Sequence, residues 1–289
     1  TANRRTSFNF ALDRAVELAR ELDKPLFVLE PLRSGYRWAC DRFHRFVIDG
    51  MADNARAFAG TGVLYHPYVE RKIDDGKGLL RAASERACAV VVDESPAFFL
   101  PRMVSAAADV FSAHAEAVDS LGLLPLSITD KAPARAFDFR RRLQRELPDQ
   151  LGTSPRRDPL RTALRPASRL PSGLAKRWPR LSTALLEGRT GLARFPIEHT
   201  VGPAPVDGGA RAARSALRRF LSNGLESYGE RTRELDVGSG LSPWLHFGHL
   251  SPHELFGAVG ADEGWSASKL ASTTKGSREG WWGMSSGAE

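Results

Sequence analysis

Cysteine is nearly absent from this sequence, and so are long apolar runs. The two cysteines, Cys40 and Cys88, stand far apart with no Cys-x-x-Cys pair, which excludes a thiolate zinc site and a dithiol redox centre. Both fall in apolar, helix-forming surroundings and are read as core thiols. No stretch approaches the length of about 20 apolar residues that a membrane-spanning helix needs. No charged-then-apolar leader opens the chain either, so a cytoplasmic location without membrane attachment is expected. Lysine is also scarce. Arginine supplies most of the 41 basic residues, and its planar fork holds a phosphate through two hydrogen bonds where lysine acts as a point charge. What is present in quantity is ordinary: 289 residues, 42% of them hydrophobic, with a formal charge of +7. That suffices for one large domain or two smaller ones and suits a phosphate-bearing partner.

The first 130 residues alternate between two periodicities. Thr6 to Leu22 places Phe8, Leu12, Ala15, Val16 and Ala19 at helical spacing, with Thr6 or Ser7 available as N-cap. Leu26 to Leu29 then reads as a short strand buried on both faces. The pattern repeats: a long helix through Phe43 and Phe58 before the strand Val63–His66, a helix Leu79–Ala87 before Ala89–Val92, and a helix from about Pro101 to Phe111 before Ala115–Val118. This alternation predicts an α/β domain with a doubly wound parallel sheet over 1–130. The chain enters a helix with no strand in front of it, so the first strand is expected to be missing. From 131 to 205 the character turns basic and proline-rich, which predicts an extended interdomain connection interrupted by one helix near Phe137–Leu147. Residues 206–289 show helical signals only, beginning with Ala210–Tyr228.

Candidate chemistry concentrates in Gly238-Ser239-Gly240-Leu241-Ser242-Pro243-Trp244-Leu245-His246-Phe247-Gly248. Ser242 before Pro243 marks a helix start, with the helix expected over Leu241–Phe247. Ser251-Pro252-His253-Glu254 marks the next and completes a capping box. A helix start that follows two glycines favours a phosphate, although Ser-Pro starts also occur with nothing bound.

The wording of this run is more specific than its physics. Ser-Gly-Leu-Ser-Pro-Trp-Leu-His-Phe-Gly-His-Leu-Ser resembles the flavin-pyrophosphate segment of class II deoxyribodipyrimidine photolyases. Arg4–Leu12, Asp41–Phe46, Asp49–Met51, Pro96–Pro101 and Gly280–Met284 resemble other segments of that family, so the likeness spans nearly the whole chain and thins between about Gly152 and Ser182. The resemblance implies an α/β domain for an optional antenna chromophore, a deazaflavin or a folate, followed by an all-helical FAD-binding domain. It implies light-driven repair of cyclobutane pyrimidine dimers in DNA by an electron from reduced FAD, in a protein expected to be monomeric. Position by position, Ser239, Gly240, Leu241 and Ser242 would wrap the FAD phosphates and Tyr228 would close over the same end. After Arg231 the chain departs from the family pattern at Thr232-Arg233-Glu234-Leu235. The helical domain is expected to be incomplete, with the lesion pocket, the tryptophan electron relay and any catalytic side chain beyond residue 289. A cryptochrome-like blue-light sensor and a non-functional truncated remnant are the competing readings.

Other signals admit plainer explanations. Arg211, Arg214 and Arg218, with Arg219, line one helix and are candidate contacts to the DNA backbone, or else a solvated face. Arg140, Arg141, Arg142 and Arg145 are read as surface unless a neighbouring groove proves basic. His246, His249 and His253 are read as packing and capping residues because Pro252 breaks the helix a metal site would need. Gly283-Met284-Ser285-Ser286-Gly287 matches a nucleophile elbow but lacks a strand before it. Trp281 and Trp282 are read as core, and Arg4, Arg5, Asp93 and Glu94 are expected at the carboxyl ends of the strands, where such sheets bind ligands.

Overall fold

The computed structural model describes residues 2–128, 131–167, 169–170, 172–228, 238–277 and 280–285. Helix α1 starts later than its periodicity predicts. It spans Phe10–Glu21, and its N-cap is Asn9, whose side chain accepts the Leu12 N–H, rather than Thr6 or Ser7. Phe8 is the cause. It holds a positive φ of 48°, and its carbonyl accepts two hydrogen bonds from the Arg5 guanidinium, each 3.1 Å, which turns the chain away from helical geometry.

The predicted alternation is present. Strands β1 (Phe27–Leu32), β2 (Leu64–Val69), β3 (Ala89–Glu94) and β4 (His114–Asp119) are separated by helices α2 (Asp41–Phe58), α3 (Leu79–Ser84) and α4 (Leu100–Ala108). β1 runs parallel to β2 with Phe27 opposite Leu64, and β3 parallel to β4 with Ala89 opposite His114. The α/β architecture stands, with its parallel strands in two two-stranded sheets. One expectation fails in detail: β1 and β3 are half-buried, and half of β4 is exposed, rather than enclosed on both faces. Side chains, not a backbone ladder, join the two sheets. Asn3 donates from its N–H and its side chain to Asp93 at the end of β3 (3.2 and 3.1 Å), and Arg4 donates to Glu30 of β1 (3.0 Å). Cys40 is buried as expected, but Cys88 is exposed, because α3 stops at Ser84 and leaves it in the bend before β3.

Helix α2 is the spine of the molecule. Its Val47, Ile48 and Met51 pack with Leu32 and Val69, its Phe58 with Leu12, Val16 and Tyr65, and its Phe46 with the helices of the second half. Burying each such side chain is worth about 1.5–3 kcal/mol. The basic, proline-rich stretch does more than cross the surface. After α5 (Ala136–Gln150) and the short α6 (Ser172–Arg177) and α7 (Thr183–Leu186), it delivers Leu181, Leu186, Leu192 and Phe195 into the core shared with α2. The remaining helices are α8 (Ala210–Asn223), α9 (Ser242–His246) and α10 (Pro252–Asp262). α8 stops before the predicted end at Tyr228, at Gly224, and no strand occurs among the described residues beyond 206.

Candidate cofactor-phosphate site and its seat

The motif run forms a tight turn and a helix of five residues. Leu241 occupies the N-cap position with αR backbone, and Ser242 falls inside the first turn, where its side chain makes no capping hydrogen bond. The expected Ser242 cap and the Leu241–Phe247 helix are therefore both corrected. It is Ser239 whose Oγ accepts the Leu241 N–H, at 3.4 Å. Gly240 has φ +67° and only open space where a Cβ would stand. A single turn of helix carries little dipole, so what can hold a ligand here is local: two serine hydroxyls, first-turn N–H groups without a helical acceptor, and an accessible backbone at Gly240. These neutral donors fit a phosphate group. They offer nothing for an aromatic ring system.

Leu241 is wholly buried and shares an apolar cluster with Phe220, Trp244 and Leu250, against which Tyr228 packs. The Tyr228 ring meets Phe220 edge-on at 5.3 Å. The fold thus brings Tyr228 and Leu241 together, with the half-buried Ser239 and the exposed Gly240 and Ser242 beside the buried Leu241. Thr232-Arg233-Glu234-Leu235, where the family pattern breaks, lies outside the described residues.

The site is seated on the first half of the chain by contacts so close that glycine is required. A Cβ on Gly248, which has φ +69°, would stand 1.9 Å from the Ala2 carbonyl oxygen, and one on Gly208 would stand 1.8 Å from that of Phe46. Between these points lies His249, buried and stacked on Phe46 at 5.1 Å. Its Nδ1 accepts the Gly209 N–H at 2.9 Å, so the neutral ring carries its proton on Nε2, which has no partner among the described residues. Gly50 of α2 leaves room for that nitrogen, since a Cβ there would meet it at 2.3 Å. Burial, with Arg4 and Arg5 nearby, pushes the His249 pKa down to about 3. Arg5 completes the junction. Buried throughout, it donates to Asn3 Oδ1 (2.8 Å) and to the carbonyls of Ser120 (3.0 Å) and Gly248 (3.2 Å), and burial lowers its pKa to about 10. The sequence reading missed this seat. Gly208-Gly209 and the mid-helix Gly50 were the signal available for it.

Two of the three candidate DNA-contacting arginines also tie elements of the fold together, Arg211 from the surface and Arg214 from a half-buried position. Arg211 binds Asp53 of α2 through its backbone N–H (2.8 Å) and Nε (2.9 Å). Arg214 binds Glu254 of α10 through Nε at 2.6 Å and donates to Ser7 Oγ. Arg218 and Arg219 are exposed and make no ion pair among the described residues. The capping box is half formed: Ser251 accepts the His253 N–H, while Glu254 is engaged by Arg214. An Arg214→Leu substitution is expected to cost about 1–2 kcal/mol, because it leaves the Glu254 carboxylate without its cation. Arg218→Leu is expected to stay within about 0.5 kcal/mol. Urea unfolding of both variants checks this, and equal midpoints would count against the tie.

The remaining signals separate cleanly. His246 is exposed and meets Phe98 and Phe247 edge-on, whereas His253 is buried against Phe10 at 5.4 Å, so the three histidines occupy different surroundings. Trp281 is buried, and Trp282 packs with Trp265 and Phe256. Ser285 donates to Glu263 (2.5 Å), and the described residues around it form no strand; Ser286 and Gly287 of the elbow motif lie outside the described residues. Arg4 and Asp93 do lie at the strand ends, but Glu30 and Asn3 occupy them.

The fold is that of the photolyases and cryptochromes. A bacterial class III photolyase from Agrobacterium tumefaciens superimposes with a TM-score of 0.60 at 16% identity, over 95% of this chain and 54% of that one. The Synechocystis sp. PCC6803 cryptochrome gives 0.61 at 16% identity, over 94% and 56%. In sequence, a deoxyribodipyrimidine photo-lyase of Methanothermobacter thermautotrophicus is 29% identical over 266 residues, which are 91% of this chain and 55% of that protein. The likeness in name and in structure supports the photolyase/cryptochrome family, and the chain spans about half the length of the relatives it matches. No protein-family model matches it.

Proposed function

We propose that this chain is part of a light-driven DNA-repair flavoprotein of the class II photolyase kind, which splits cyclobutane pyrimidine dimers. The observation that carries the reading is the match, over nearly the whole chain, to a protein named deoxyribodipyrimidine photo-lyase. The class II assignment rests on the wording of Ser239–Ser251 and the other resembling segments. FAD, when bound and reduced, supplies the electron, and the protein supplies orientation and exclusion of water. Ser239 and Ser242 donate to the cofactor phosphates, Gly240 lets the backbone approach them, and Tyr228 closes the same end. Leu241, its side chain buried, contributes backbone only. The partner is DNA carrying pyrimidine dimers, extruded at modest cost because the damaged pair is already weakly stacked. The protein acts as a cytoplasmic monomer, and an antenna chromophore is optional.

A blue-light sensor of cryptochrome type is the second reading, favoured by the equal structural likeness to the Synechocystis cryptochrome. Illuminating the protein at the length of its relatives with dimer-containing DNA separates the two. Loss of dimers supports repair, and bound flavin without repair supports sensing. The 289-residue chain is expected to retain little FAD after purification, since its described donors reach only a phosphate group. A stoichiometric flavin absorbance band would overturn that expectation.

A further inference from the structure

A groove of about 380 Å³ lies along α5, lined chiefly by Lys131, Asp138, Arg141, Arg142 and Arg145. The helical residues follow an i, i+3/i+4, i+7 pattern, which puts them on one face. Its charge is strongly one-sided. Asp138 is held by both arms of the Arg135 fork (2.8 and 3.1 Å), and Glu146 pairs with Arg145 at 2.9 Å. Among the described residues, two carboxylates therefore stand against the basic groups of Arg135, Arg141, Arg142 and Arg145. The face is also held in place. On the inner side of α5, buried Gln144 donates to the Ser277 carbonyl (2.7 Å) and accepts the Gly276 N–H (2.8 Å). Arg142 is anchored on the Ile128 carbonyl (3.3 Å), and the Arg141 stem packs on Gly276 with its guanidinium 6.0 Å from the Phe137 ring centre.

We infer that this α5 groove is a second nucleic-acid contact, binding the phosphate backbone of DNA through Arg141, Arg142 and Arg145. It rests on the reading of DNA as partner and adds a site to it. One turn of helix separates Arg141 from Arg145, about 6 Å along the axis, so the row addresses successive charges of a polyanion rather than one isolated phosphate. The guanidinium fork suits phosphate oxygens. Phe137 and Phe139, each 43% exposed on the same helix, put aromatic faces beside the charges, a combination suited to nucleic acid.

The test is DNA binding by fluorescence anisotropy at a series of salt concentrations, with a short undamaged duplex. An R141Q/R142Q/R145Q variant of the full chain is expected to bind about tenfold or more weakly. The slope of log affinity against log salt should fall by roughly 2.7, since each of the three phosphate contacts contributes about 0.9. R141K/R142K/R145K, which keeps the charge, should retain the slope. On the unmutated chain, DNA should shield Arg141 and Arg145 from an arginine-modifying dicarbonyl reagent, read by mass spectrometry. If the parent chain binds and the glutamine variant keeps its slope, or if those arginines are not shielded, the α5 contact is overturned and DNA survives as partner. If the parent chain does not bind DNA at all, the α5 contact falls, and the same assay on protein at the length of its relatives decides whether DNA stands as partner.

Discussion

Gly248→Ala is expected to lower the thermal unfolding midpoint by about 10 °C. Two penalties act on one methyl group. Alanine at φ +69° costs of order 1–3 kcal/mol, and its Cβ would be driven to 1.9 Å from the Ala2 carbonyl oxygen, with Asn3 Cα at 2.7 Å. Neither neighbour is the loose end of a side chain, so backbone must move, at a cost typical of overpacking of about 1–3 kcal/mol. A combined loss of about 2–6 kcal/mol corresponds to a shift of about 10 °C for a chain of this size. The damage should be directional as well as large. Arg5 donates to the Gly248 carbonyl and His249 is the next residue, so Trp244 fluorescence should report the displacement before global unfolding. Gly240→Ala is the contrast: its φ is also positive but its surroundings are open, and only the conformational penalty applies. Equal midpoints for Gly248→Ala and the parent chain would show that the two halves are not seated on each other as described.

Acid should destabilise the chain from well above the carboxylate range. Burial holds His249 down to about 3, and burial holds His44 down to about 4, with only the weak opposition of the Cys40 and Arg33 carbonyls and of Asp41. Both rings are neutral in the folded state, while in the unfolded chain they titrate near 6.5. Below pH 6.5 the unfolded state therefore binds more protons, and stability is lost as pH falls from 6.5 toward the folded values. Above 6.5 these two groups contribute no pH dependence. At pH 5 each is expected to have removed about 2 kcal/mol. Urea unfolding between pH 8 and pH 5 measures this as the uptake of about two protons at the lower end, with the buried His66 and His253, also shifted downward, adding to it. His44→Leu removes a titrating ring whose nitrogens make no well-aligned hydrogen bond among the described residues and should lower the slope by about one proton. A profile that stays flat down to pH 5 would contradict the burial of both rings.

Periodicity carried the first half of the chain because its elements are set by local pattern. α2, with apolar residues at Phe43, Phe46, Val47, Met51 and Phe58, was legible as a helix, and the four strands lie within a few residues of their expected places. The errors arose where a distant residue overrides a local preference. Thr6–Phe8 has helical spacing, yet Arg5 folds back onto the Phe8 carbonyl and Asn9 becomes the cap. Glu254 satisfies the capping-box spacing, but Arg214, forty residues earlier, engages it. Arg211 and Arg214 read as a charged stripe because nothing local betrays Asp53 and Glu254 as their partners. Of the candidate site, the identities of Ser239, Gly240 and Ser242 were legible, and the fold puts the two serine hydroxyls at a turn left open by Gly240, whereas the Ser242 cap does not form. The seat beneath it, built from Gly50, Gly208, Gly209 and Gly248, was not legible, because a glycine announces the approach of another backbone only once that backbone is in place.

The central position of α2 also sets a schedule for synthesis. Asp49 of that helix receives the Gly208 N–H from 159 residues further along the chain, and Phe46 waits longer still for Leu217 and Trp244. At about 5–20 residues per second on the ribosome, the apolar edge of α2 stands uncovered for roughly 8–30 s. The nascent chain must therefore carry this apolar surface uncovered while about 160 further residues are made.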